Sequence, residues 1–246
     1  MLFLHLFVRP VTLMFGKSVS GVTATHLTQT ITKDSSMPSQ LNGLIRTLSW
    51  NDFHRVTAAQ PAAGQFGTAA VTHSGFSSTP FRVDPIPHTR PARFRLVDSF
   101  NVSVTFDRSR SQVRSWVFSL SQLFQNDLLN HEQGHYNISA LLSRDFFVEV
   151  MLIKSIDFAT AAAGIAAVNQ ITARTVDRMG AVQGLYDREV HPEQNQGNSR
   201  GSIQVGWDTA IRQAFTQPRA SGTTAPDGTP HKMLLVDALT AAGKRP

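Results

Sequence analysis

At Arg114 the chain changes character, and that change limits the folds open to it. From about Leu44 to Arg114 the sequence is punctuated by Gly and Pro and carries short alternating stretches, "TAAVTHSGF" and "RFRLVDSFNVSVTF". In the second, Phe94 and Leu96 fall on one side and Arg93 and Arg95 on the other, the period-two pattern of a sheet with one wet face. From Trp116 to Ile153 apolar residues instead recur at helical spacing, with no Pro and a single Gly. Strands gathered ahead of helices imply an α+β domain: a largely antiparallel N-terminal sheet packed on a helical layer.

The helical pattern continues beyond residue 153. Residues 155–188 are Ala-rich and keep Ile165, Val168, Thr172, Met179, Val182 and Tyr186 at three-or-four spacing, so a second helix can pack on the first. Pro192 and the polar run "EQNQGNSRGS" end it, and a shorter helix is expected over Ile203–Phe215 with Trp207 as an anchor. The domain is thus expected over 43–216. Residues 1–42, of which 18–42 are rich in Ser, Thr and Gln, read as an extension, and 217–246 as a loop-rich tail in which "KMLLVDAL" is a short apolar piece. The apolar run at the start is interrupted by Arg9 and Pro10, resembles a signal peptide poorly and is too short to span a bilayer. Export and a cytoplasmic setting both stay open, as does the oligomeric state.

Composition narrows the chemistry. A hydrophobic fraction of 41% with 16% charged residues belongs to a folded chain. The net charge of +6 is modest and spread out, and "HTRPARFR" and "DRSRSQVR" lack interleaved aromatic platforms, so a nucleic-acid partner is not expected. With no cysteine, a bound zinc ion would have to be held by His, Asp or Glu.

The first helix contains such donors, in "NDLLNHEQGHYNISALL". His131 and His135 lie one helical turn apart on one face, where both imidazoles can bind one ion. Glu132 sits about 100° around the helix, within reach of a metal-bound water without being a ligand. This is the spacing of H-E-x-x-H metallopeptidases, in which zinc activates a water and the glutamate takes its proton. With nine His and four Glu in the chain, the pattern arises by chance in roughly one such sequence in two hundred. Leu128, His131, His135, Ile138 and Leu142 form one stripe, with Asn130, Asn137 and Arg144 marking the outer side. Gly134 costs a mid-helix position about 1 kcal/mol, which a close approach of neighbouring backbone would explain.

A catalytic zinc takes three protein ligands. A third His six residues past His135 is ruled out because Leu141 stands there, and no Glu occurs between 150 and 188. Asp157, Asp177, Asp145, Glu189 and His191 remain candidates, while Asp187 reads as a residue of a helix's last turn. Trp50, Phe53 and Trp116 read as core anchors, and His54 and His88 as surface histidines. His73 falls where an edge strand over a cleft could pair with an extended peptide.

The ordered set "LSWNDF", "AAVTHSGF", Trp116, "LLNHEQGHYNIS", "YDREV" and "QVGWD", spanning about residues 48–208, resembles a bacterial family of predicted secreted zinc-dependent proteases. That resemblance implies a zincin-like fold, a peptide or protein substrate, a secreted or periplasmic setting, His191 as third ligand and Tyr186 as a site neighbour. This chain departs from the family pattern at Val190 and Pro192, around that His. The competing expectation is a binding or structural module whose zinc is only a clip.

Overall fold

A computed structural model describes residues 38–57, 59, 69–190, 200–219 and 232–245. Among them are eight strands, β1 (Gln40–Asn42), β2 (His54–Val56), β3 (Ala70–Val71), β4 (Ser74–Ser78), β5 (Val83–Pro85), β6 (Phe94–Leu96), β7 (Asn101–Phe106) and β8 (Gln112–Arg114). Helices α1 (Gln122–Ile153), α2 (Ala161–Glu189), α3 (Arg200–Thr216) and α4 (Leu235–Ala241) follow them. The mixed α+β class and the order of strands before helices agree with the sequence pattern.

The sheet differs from expectation. The strands form three small sheets, in the orders β1-β7-β4, β2-β8-β3 and β5-β6, rather than one. Two of the five pairings, β1 with β7 and β2 with β8, are parallel. Alternation identifies a strand and its wet face, as at β6, where Leu96 is buried and Arg95 exposed. It carries no information about the partner, which is nearby in the chain for β6 but tens of residues away for β1, β2, β3 and β4. β1 also lies inside the stretch whose composition reads as an extension, so the paired structure begins before residue 43.

α1 is the axis of the molecule. Ser121 caps its start, its hydroxyl accepting from the Phe124 amide at 3.3 Å. Three apolar clusters surround it. Its first half packs through Leu128, Tyr136 and Ala140 on Leu48, Phe53, Val113 and Val117. Its last turns carry Phe146 and Val150 against Leu96, Phe100, Val102, Val168 and Ile171. Between them Ile138, Leu141 and Leu142 meet Met179, Val182, Tyr186, Trp207, Ile211, Leu235 and Leu239. From His131 to Met151 no residue of α1 is exposed, so Arg144 is not the outward residue that the stripe suggests, whereas Asn130 is exposed as expected.

Arg144 is instead buried and satisfied. Its guanidinium donates to Asp145 Oδ1 at 2.5 and 3.0 Å, to the Ala214 carbonyl at 2.6 Å and to the Met233 carbonyl at 2.7 Å. Asp145 in turn accepts from the Leu235 amide at 2.8 Å. One ion pair on α1 therefore receives the end of α3 and the start of α4, and it docks the apolar piece that composition places in a loop-rich tail. Phe53 is buried in the core as expected, while Trp50 and Trp116 are half-buried and pack against its edge. No helix among the described residues is long and apolar enough to cross a membrane.

Truncating one member of this pair strands the other's charge in the interior. Asp145→Ala should lower the unfolding free energy by about 3–5 kcal/mol in urea denaturation. A loss below about 1 kcal/mol, the scale of an exposed pair, would show that the bridge does not organise the helical layer.

Candidate metal centre

The two imidazoles of α1 meet a carboxylate from α2. His135 Nε2 lies 3.1 Å from His131 Nε2 and 2.9 Å from Asp187 Oδ1, and His131 Nε2 lies 3.4 Å from the same oxygen. Donors held about 2.0–2.1 Å from one tetrahedral ion stand about 3.3–3.4 Å apart, so the three atoms, two of their separations somewhat shorter, are close enough to serve as ligands of one cation. Among the described residues, His131, His135 and Asp187 are the one group of donors close enough together to hold a metal ion.

Each member is oriented by its surroundings. Burial pushes the His135 imidazole toward neutrality, but Asp187's charge and hydrogen bond, with Glu132's charge, hold its pKa up to about 9. Burial likewise opposes ionisation of Asp187, and the two imidazoles overcome it, holding its carboxyl well below the usual carboxylate range. Without a metal, the carboxylate and the imidazoles thus favour each other's charged forms. A divalent cation bound there would take a proton's place among the same atoms.

Tyr186 stacks flat on His131, with ring centroids 4.8 Å apart and planes 10° from parallel, and meets His135 edge-on at 5.1 Å. It is fully buried, which pushes its phenol well above its ordinary pKa. Its hydroxyl lies 3.2 Å from the His131 carbonyl and 3.1 Å from the Gln204 amide nitrogen, with Trp207 edge-on behind it at 5.0 Å. The ring crosses α1 at Gly134. A Cβ there would overlap the hydroxyl and come within 2.5 Å of Cζ. The close approach that this glycine permits is thus made by a side chain, not by the neighbouring backbone that the sequence suggests.

Gln183, one turn before Asp187, is also buried at the site. Its Oε1 lies 2.5 Å from His135 Nδ1, while its Nε2 donates to the His135 carbonyl at 2.9 Å and to Ser139 Oγ at 3.0 Å. Glu132 is buried on the same turn as His131. The segment just before β4 and its first residue cross here, with Thr72 and Ser74 hydroxyls each 3.5 Å from the carbonyls of Glu132 and His135.

The other candidates go elsewhere. Asp157 pairs with Arg95 at the surface, Asp177 is exposed, Asp145 holds Arg144, and Glu189 accepts from Trp207 Nε1 and Lys244. His191 lies outside the described residues. His54 and His88 are exposed. His73 has its amide on Ser111 Oγ and its carbonyl on the Asp107 amide, so its backbone is already committed and does not present a free edge.

Sequence reasoning missed Asp187, Gln183, Gln204 and Asp208. One signal was available: Gln183 and Asp187 form a polar i, i+4 pair on the stripe of α2 that otherwise carries Met179, Val182 and Tyr186. The quoted stretches do meet in space. "LSWNDF" touches α1 through the Leu48 amide on Gln133, and "QVGWD" supplies Gln204 and Trp207 to Tyr186 and Asp208 to Asn130. No protein-family model, curated protein or solved structure matches the chain.

Gly134→Ala separates helix propensity from this crossing. Propensity alone predicts a gain of about 1 kcal/mol. The overlap with Tyr186 predicts instead a loss of about 1–3 kcal/mol on denaturant unfolding, and a stabilised variant would contradict the close crossing.

Proposed function

We propose that this protein hydrolyses peptide bonds with a zinc ion held by His131, His135 and Asp187. The observation that carries the reading is the convergence of those three donor atoms within 2.9–3.4 Å beside a buried glutamate on the same helical turn. Two neutral imidazole donors and one carboxylate suit zinc better than calcium or magnesium, which prefer shells of oxygen. Zinc in such a set supplies a water of lowered pKa and polarises a carbonyl oxygen.

The chain's own groups supply the rest. Glu132 is the general base, taking the proton of the attacking water and returning it to the departing amine. Its position one residue after His131 puts it at the margin of the metal face, and its charge already acts on His135. Asp187 balances the positive centre and is taken as the third ligand, His191 lying outside the described residues. Tyr186 is a positioning residue in this reading: its ring holds His131 flat while its hydroxyl is engaged by the His131 carbonyl and Gln204. A helix bearing the pair, crossed at the site by the chain entering β4, is consistent with a zincin-like arrangement. The secreted or periplasmic setting rests on the family resemblance.

Two substitutions test the roles separately. Glu132→Gln should keep about one zinc per chain while casein or peptide-library turnover falls by about 10²–10⁴-fold, the usual contribution of a general base. Asp187→Ala should lose zinc, weakening binding beyond the roughly 10- to 100-fold typical of groups that only support a ligand. A Glu132→Gln protein that turns over like the parent removes the base. A zinc-loaded parent that cleaves neither casein nor library peptides leaves a metal clip rather than a hydrolase.

A further inference from the structure

Gln183 is a buried amide whose three polar contacts are all fixed by the fold, and two of them determine what the third must be. Its Nε2 stands 2.9 Å from the His135 carbonyl and 3.0 Å from Ser139 Oγ. A carbonyl oxygen only accepts, so the NH₂ group of Gln183 faces it and the amide cannot be turned round without setting two carbonyl oxygens against each other. That leaves Oε1 as the atom 2.5 Å from His135 Nδ1. An amide oxygen only accepts as well, so Nδ1 carries the hydrogen. A neutral His135 with its hydrogen on Nδ1 has its lone pair on Nε2, the nitrogen 2.9 Å from Asp187 Oδ1 and 3.1 Å from His131 Nε2.

We propose that Gln183 is a positioning residue of the metal centre, which holds His135 in the Nδ1–H tautomer and so aims its Nε2 lone pair at the ion. This rests on the reading of His131, His135 and Asp187 as ligands, and it adds how one of them is prepared. Metal-binding imidazoles commonly donate their second N–H to a fixed acceptor, and removing it costs about 10- to 100-fold in affinity. A neutral amide suits this position better than a carboxylate. Asp187 and Glu132 already bring two acids to the centre, and only an amide can also donate to the His135 carbonyl and Ser139. The same contacts tie the ligand to β4, because Ser139 Oγ lies 2.8 Å from Ser74 Oγ.

The test compares the parent with Gln183→Leu and Gln183→Glu. Zinc affinity is read by competition with a chromophoric chelator, and the bound nitrogen by ¹⁵N spectra of histidine-labelled protein loaded with cadmium-113. The parent should show metal coupling to His135 Nε2 with the proton on Nδ1. Gln183→Leu should lose about 10- to 100-fold in zinc affinity, and Gln183→Glu, which keeps an acceptor, should lose less. Coupling to Nδ1, an unchanged affinity in Gln183→Leu, or equal losses in both variants overturns the assignment.

A parent that takes up neither metal refutes the ligand reading instead. The metal-free ¹⁵N spectrum then decides the role of Gln183, taken at a pH where that spectrum itself shows His135 neutral. A proton on Nδ1 that moves in Gln183→Leu sustains it, and one on Nε2 in the parent removes it.

Discussion

The close crossing of α1 and α2 at Gly134 is the constraint on which the site depends. Only a residue without Cβ lets the Tyr186 ring lie against α1 there, since the added carbon would fall inside the phenol. The ring then stacks on His131 and turns its edge to His135. The next residue, Asp187, is carried within 2.9 Å of one imidazole and 3.4 Å of the other. Ring, stack and third donor move together if the helices part, so the candidate metal centre depends on packing before it depends on chemistry.

That packing explains how α1 carries so much polarity through the middle of the molecule. Buried polar groups are tolerated when each finds a partner. Ser143 donates to the Ser139 carbonyl, Arg144 and Asp145 pair and reach α3 and α4, and Tyr136 donates to the Gly43 carbonyl at 2.6 Å. The site continues this pattern: Gln183 and Gln204, from α2 and α3, satisfy His135 and Tyr186 and hold them in place. The helical layer and the centre share one network. The segment after α4 therefore reaches the site through Trp207 of α3, which contacts Tyr186 and donates to Glu189, itself bound by Lys244.

What could be read in the sequence was local. The one-turn spacing of His131 and His135, the glutamate between them, and the helical periods of α1 and α2 all follow from residues close in the chain. The third donor did not, because periodicity gives no reason to prefer Asp187 over Asp145 or Asp177 until the two helices are set against each other. Arg144 was misread for a related reason. A charged residue usually marks the wet side of a helix, but α1 is enclosed by three apolar clusters and pairs Arg144 with its own neighbour. The sheets failed at the same point, since alternation in "RFRLVDSFNVSVTF" locates β6 and β7 but not their partners. Gly134 was legible as an anomaly, and only the crossing ring explains it.

The most direct measurement is an anomalous difference map from crystals of the zinc-loaded protein, collected at the zinc absorption edge. The account predicts a single strong peak about 2.0–2.1 Å from His131 Nε2, His135 Nε2 and one oxygen of Asp187. Zinc bound elsewhere, or held by the two imidazoles with Asp187 turned away and another donor in its place, would contradict it.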